Sequence, residues 1–202
     1  MANSRQFLQH RLHSLLGLFP VGLFLVFHLV ANFQATRGAE AYNEAVGQIE
    51  KLPFLIFLEF GLIYIPLLFH AVYGLHYAFQ AKHNVNNYGY FRNHMFLWQR
   101  ITGVITLIFI SWHVWQTRIQ KAMGVEVNYD MMHDIFTNPA MRIFYAIGIL
   151  SAVFHFANGV WSFLVHWGIT VGPRSQRLAT YFTMALFVVI SIIGLRALAA
   201  FV

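Results

Sequence analysis

The sequence has no cysteine, which excludes disulfides, thiolate-ligated iron–sulfur clusters and c-type haem attachment. Charge is also scarce. Charged residues make up 10% of the 202 residues, where a soluble domain of this length carries about 25%. Only seven of them are acids. No Glu-x-x-His pair occurs, which removes the usual carboxylate–histidine metal site of helical bundles. What the chain does have is apolar sequence, 58% of it hydrophobic, in runs too long for buried core helices. These runs are membrane spans. They and their short loops use up the chain, so catalysis on a polar metabolite would need a partner. The formal charge is +6, but the basic residues sit in short loops between spans. There they orient a chain in a bilayer, and the pattern is not a nucleic-acid footprint.

Five helices are expected, at about 12–33, 54–81, 97–121, 140–167 and 178–201. Each exceeds the ~20 residues that cross a bilayer core. The expected fold is therefore an all-α membrane protein, a single five-helix transmembrane domain over 1–202. Pro53 and Pro139 stand at first-turn positions of helices two and four, where a missing N–H costs nothing. Pro173 marks the loop before helix five, and Pro20 and Pro66 lie inside spans, where membrane helices tolerate a kink. The first apolar run resembles a signal peptide, with Ala31 to Ala35 in place of a cleavage site. It is too long for one and carries a histidine, so it is expected to be retained.

Five spans put the termini on opposite sides. The N-terminal segment and the loops 82–100 and 168–177 hold Arg5, Arg11, Lys82, Arg92, Arg100, Arg174 and Arg177, and no acid. The other side carries six basic residues and all seven acids, Glu40, Glu126 and Asp134 among them. Both the basic count and the absence of acids place the N-terminus in the cytoplasm and the C-terminus outside.

Eleven histidines is a high number for so apolar a chain. His28, His70, His113 and His155 each lie well inside one of the first four spans, at separations of 42, 43 and 42 residues. An ionisable residue at that depth is costly and ordinarily has a function or a partner. Each lies roughly 24 Å into its helix at about 1.5 Å per residue. Because successive helices alternate in direction, the four fall into two layers. His28 and His113 lie toward the outer face, and His70 and His155 toward the inner face. Two layers of two suit two bis-histidine haems, a state with no open site for O₂ chemistry and fitted to carrying electrons. Of the others, His76 lies on the face opposite His70, while His10, His13, His83, His94, His133 and His166 fall near span ends or in loops.

At 100° per residue, small and polar residues share the histidine faces. Helix four reads Gly148, Ser151, His155, Gly159, Ser162 and His166; helix three reads Thr102, Thr106, His113, Thr117 and Gln120. Helix one aligns Arg11, Ser14 and Gly17 below His28, and helix two aligns Glu59, His70 and Gly74. These stripes fit a flat macrocycle and ordinary helix packing alike. Helix five has no such stripe and is expected at the periphery.

The strings LHSLLG (12–17), FHAVYG (69–74), SWHVW (111–115) and FHFANGVWSF (154–163), with PRSQR (173–177), resemble the di-haem cytochrome b subunits of succinate:menaquinone oxidoreductases. The closer likeness is to the single-polypeptide cytochrome b-558 anchors of Gram-positive succinate dehydrogenases, in the bacterial plasma membrane. The resemblance implies two haem b, with His28 and His113 as axial ligands of the outer one and His70 and His155 of the inner one. It implies a flavoprotein and an iron–sulfur subunit docked on the cytoplasmic side. Electrons from succinate, an intermediate of the tricarboxylic acid cycle, would pass through the iron–sulfur subunit and the inner then the outer haem to menaquinone. No residue of this chain is then catalytic toward succinate.

Arg11, His13 and Arg100 lie at the level of the inner haem's propionates, a position that positive-inside anchoring also explains. Glu59 lies near the level of the outer haem. It is either a proton carrier for a quinone or a helix-end residue facing water. A related di-haem fumarate reductase has a glutamate two residues before its helix-four ligand, where this chain has Val153. Three other readings stay open: a fumarate reductase anchor, the cytochrome b anchor of a hydrogenase or formate dehydrogenase, and a haem-free bundle whose histidines only hydrogen-bond.

Overall fold

The computed structural model describes residues 4–80 and 84–202; Lys82, His83 and the Arg5 side chain lie outside the described residues. The described residues are helical, with no strand among them. Five stretches are long and apolar enough to cross a membrane: Gln6–Arg37, Leu55–Gln80, Phe91–Ala122, Pro139–His166 and Pro173–Ala199, here spans one to five. Spans one and three reach beyond their apolar runs at both ends. Span five begins at Pro173 rather than after it. Proline suits a first helical position, and the turn is closed by Ser175, whose Oγ accepts from the Gly172 N–H and donates to the Gly172 carbonyl. Pro139 begins span four behind Asn138, whose side chain accepts from the Ala140 N–H at 2.9 Å. Pro53, by contrast, stands outside span two, with Phe54 in the left-handed region at φ 57° before the helix starts at Leu55.

Two spans change geometry in mid-course. Pro20 divides span one into Ser4–Leu18 and Val21–Asn32. Span two is π-helical over Glu59–Tyr64, just ahead of Pro66. A proline offers no N–H to the preceding turn, and a locally widened helix accommodates it. Span three is π-helical over Trp115–Ile119, immediately after His113.

Span five is not peripheral. It packs along span four and against the second half of span one, burying Ala179, Thr183, Ile190, Ser191, Gly194 and Ala197. These residues follow the helical period, and several are small enough for close helix approach. Ile149 of span four and Leu29 of span one both lie against Gly194. This stripe carries no histidine, and its small residues do not stand out from the apolar run around them. Span two is the peripheral one. It touches mainly span one, and its outer face is bare, with Leu68 65% and Phe79 81% exposed. Val153 is fully buried in the core cluster with Ile149 and Ile190.

Two short helices outside the spans, Ala39–Glu50 and Tyr129–Thr137, form a cap at the acid-bearing end. Asn128 caps the second, accepting from the Met131 N–H at 2.9 Å, and Asn43 of the first accepts from the Tyr129 N–H at 2.8 Å. The end of span five is clamped beneath them. Tyr129 Oη donates to the Ala200 carbonyl at 2.7 Å and His133 Nδ1 to that of Phe201 at 2.8 Å. The Phe201 ring packs against Tyr42, Tyr129 and Phe136. Burial pushes the Tyr42 phenol up to about 12, which keeps it neutral. Phe136 in turn meets Tyr145 of span four edge-on at 4.8 Å, so the cap is continuous with the membrane core. Phe201→Ala is expected to cost about 3–5 kcal/mol and Phe201→Leu much less, measured by reversible denaturant titration in detergent micelles.

Candidate functional site

A cavity of about 1100 Å³ runs through the bundle, lined by all four intramembrane histidines. This exceeds the roughly 300–1,000 Å³ of an ordinary single-ligand pocket. The spans bring the histidines together as two pairs. His28 faces His113 with ring centroids 5.6 Å apart and planes at 73°. His70 faces His155 at 6.0 Å and 83°. His70 and His155 belong to the acid-free end of the bundle, His28 and His113 to the capped end.

Hydrogen bonds at Nδ1 assign the tautomer of three of the rings. His70 Nδ1 lies 2.9 Å from the His13 carbonyl oxygen, and His155 Nδ1 lies 3.0 Å from that of Gln99. A carbonyl only accepts, so both Nδ1 atoms carry the proton and both Nε2 atoms keep a free lone pair. Gln99 is itself held, donating from its side chain to the His155 carbonyl and accepting from Asn158 at 2.7 Å. Two glycines admit these rings. A Cβ at Gly17 would strike His70, and one at Gly103 would come within 3.0 Å of His155.

The other pair is held by side chains. Tyr145 Oη donates to Gln116 Oε1 at 3.0 Å and so accepts at 3.4 Å from His113 Nδ1. The Asn32 amide nitrogen donates to the His28 carbonyl at 2.8 Å and stands 3.4 Å from His28 Nε2. His70, His155 and His113 thus present Nε2 as a lone pair, the form in which histidine binds a metal.

The two ends of the cavity are polar. At the acid-free end His13 stacks on His70 with centroids 4.1 Å apart. Its buried Nε2 has no hydrogen-bond partner among the described residues, and neither has the buried Nη1 of Arg100. Arg11 lies nearby between the Phe7 and Trp167 rings. At the capped end Glu59 is paired with Arg118, a residue the sequence reading did not single out. Arg118 Nε donates to the two carboxylate oxygens at 3.2 and 3.1 Å, and Nη2 donates to Oε2 at 2.8 Å. Both residues belong to the π-helical segments of their spans and both line the cavity. Lys121 and Glu50 form a further ion pair at this mouth. Thr106, between the two histidine layers, has a buried hydroxyl with no partner among the described residues.

Residues 87–194 match the profile of the family described as Succinate dehydrogenase/Fumarate reductase transmembrane subunit. Over all 202 residues the chain is 57% identical to the full length of the succinate dehydrogenase cytochrome b558 subunit of Bacillus subtilis (strain 168). The chain belongs to the succinate dehydrogenase/fumarate reductase transmembrane subunit family. Membership removes the hydrogenase and formate dehydrogenase reading. It agrees with the resemblance carried by the four histidine strings and with five helices able to cross a membrane.

Within this family member, the remaining histidines separate by environment. His76 is exposed and hydrogen-bonds Gln80, on the far side of span two from the cavity. His133 holds the C-terminal end, and His10 packs edge-on to Tyr77. Val153 does not line the cavity, so the residue in that position faces the core of spans four and five. In the sequence Arg118 is one of two cations, with Lys121, that follow the histidine of the third span, where cations ordinarily anchor a span end. The fold was needed to see that it meets Glu59 across 59 residues of chain.

The Glu59–Arg118 pair is half-shielded, with side-chain exposures of 16% and 31%. Its rupture should fall between the ~0–1 kcal/mol of exposed pairs and the ~3–5 kcal/mol of buried ones. A double-mutant cycle of Glu59→Gln, Arg118→Gln and both should therefore show each single variant destabilised by about 1–3 kcal/mol. The double variant should be less destabilised than the sum of the singles.

Proposed function

We propose that this chain is the di-haem cytochrome b anchor of a bacterial succinate dehydrogenase, with His28 and His113 ligating one haem b and His70 and His155 the other. The observation that carries the reading is the arrangement of four part-buried imidazoles as two facing pairs in one cavity, three of them with Nδ1 hydrogen-bonded and Nε2 free. The separations of 5.6 and 6.0 Å between ring centroids would let each pair hold one metal ion between its two imidazoles. The cavity volume leaves room for flat groups between the spans. The relative's name, a cytochrome b558, supports haem b as the group. Two such haems would supply one-electron transfer between an iron–sulfur subunit and menaquinone.

The chain's own residues then have separable roles. The His13 and Gln99 carbonyls and the Tyr145 hydroxyl orient their imidazoles and hold the proton on Nδ1. His13 Nε2 and Arg100 Nη1, buried without partners, are donors for the carboxylates of propionates, and Arg11 supplies charge at the same end. Apolar walls exclude water from the layers. At the capped end Glu59, held by Arg118 at the cavity mouth, would exchange protons with a quinone, for which an intramembrane carboxylate is suited. The acid-free end would face the cytoplasm, with the N-terminus, and receive the flavoprotein and iron–sulfur subunits. The family includes fumarate reductases, which run the same chemistry in reverse.

The test is a pyridine haemochrome assay with protein quantitation on the purified chain, expected to give two protohaems, both low-spin. His28→Ala and His113→Ala should each remove one haem, and His70→Ala and His155→Ala the other, told apart by reduced-minus-oxidised spectra. No haem in the folded chain, expressed with ample haem supply, would overturn the reading. In the assembled complex, Glu59→Gln should lower quinone reduction by succinate about tenfold or more, the lower part of the range for general acid–base catalysis, while dye reduction at the flavoprotein is unchanged.

A further inference from the structure

At the acid-free end a depression of about 390 Å³ opens between the start of span three and the start of span five, lined by Arg92, Arg177, Trp161 and Tyr181 among others. It lies apart from the histidine cavity, and none of these four residues lines that cavity. Trp161 of span four is fixed by its indole N–H, which donates to the Gln176 carbonyl at 3.2 Å. The Arg92 guanidinium lies 3.5 Å from the centroid of the Trp161 ring and also donates to the Thr180 hydroxyl. A guanidinium has five N–H donors, so Arg92 keeps donors to spare, and Arg177 is exposed at the rim. All seven acids of the chain lie within 40–59 and 126–134, at the other end of the bundle. The chain therefore supplies no carboxylate to either arginine.

The depression continues into the membrane as an apolar groove. Counting along span four by the helical period, Phe154, Leu150, Ile147 and Ile143 share the face of Trp161. Leu150, Ile147 and Ile143 are 36%, 50% and 62% exposed. On span five, Leu178, Tyr181, Val188 and Ile192 form a second exposed stripe that starts beside Arg177. The Phe154 ring packs edge-on to Phe187 of span five at 5.7 Å, joining the two stripes. Two cations at the membrane surface, continuous with an apolar track at membrane depth, match a molecule with a phosphate at one end and hydrocarbon at the other.

We propose that this groove binds an anionic phospholipid, its phosphate held by Arg92 and Arg177 and an acyl chain laid along span four. Arginine pairs with phosphate through two parallel hydrogen bonds, and basic pockets between transmembrane helices are a recurrent form of headgroup site. An acidic protein surface would satisfy the arginines but would leave Leu150 and Ile147 uncovered, about 16 and 21 Å along span four from Trp161 and at a depth no soluble partner reaches.

Native mass spectrometry of the full-length chain in mild detergent, titrated with phosphatidylglycerol, phosphatidylcholine or inorganic phosphate, tests this. The wild type should bind one phosphatidylglycerol in preference to phosphatidylcholine. Arg92→Gln with Arg177→Gln should weaken phosphatidylglycerol about tenfold and abolish the preference. Arg177→Gln alone, at an exposed position, should weaken it in the same direction and serves if the Arg92 variant does not fold, as judged by circular dichroism. Equal binding of the two lipids by the wild type, or unchanged phosphatidylglycerol binding in the variants, would overturn the proposal. Displacement of the lipid by inorganic phosphate at cellular concentration would make this a free-phosphate site instead. Loss of partner-subunit assembly with lipid binding intact would assign the arginines to protein docking.

Discussion

An imidazole inside a membrane needs two things at once: a partner for its one N–H and a use for its one lone pair. Much of this bundle follows from meeting the first requirement for His70, His113 and His155 while leaving the second open. The N–H of His70 is satisfied by span one, and that of His155 by span three. Each bond requires a neighbouring helix to come close enough to offer a main-chain carbonyl. Gly17 and Gly103 allow that approach where any side chain would obstruct the ring. The proline break in span one and the widened turns in spans two and three occur in three of the four histidine-bearing helices, while span four, which bears His155, and span five run without interruption.

The uninterrupted pair acts as a scaffold. Spans four and five bury a continuous seam against each other and against span one, and the cap closes over their capped ends through Phe136 and Phe201. Span two, held mainly by span one, is the helix whose inner face borders the cavity and whose outer face is bare. Order thus decreases from a packed half, which contains no paired histidine except His155, to an open half shaped around the cavity.

The sequence made much of this legible because membrane insertion imposes long apolar runs, and polar residues inside them stand out. The five spans, the register of His28, His70, His113 and His155, and the separation of acids from one end could all be read directly. Three features could not. The packing of span five depends on small residues such as Ser191 and Gly194 that look unremarkable without a histidine beside them. The cap helices Ala39–Glu50 and Tyr129–Thr137 are short and polar, and their docking is decided by contacts distant in sequence, such as Asn43 with Tyr129. Arg118 reads as an anchoring cation at a span end, and only the meeting of two π-helical segments brings it to Glu59.

The two histidine pairs are held by different kinds of chemistry, and the difference bears on how such a protein can diverge. His113 takes its orientation from Tyr145, itself bonded to Gln116, and His28 sits beside Asn32. A single codon change can alter any of these side chains and with it the basicity of a ring. His70 and His155 are oriented by main-chain carbonyls that no substitution can remove, and only a shift of a whole helix would retune them. One end of the bundle is therefore open to gradual adjustment across lineages, and the other is tied to the backbone geometry of the fold.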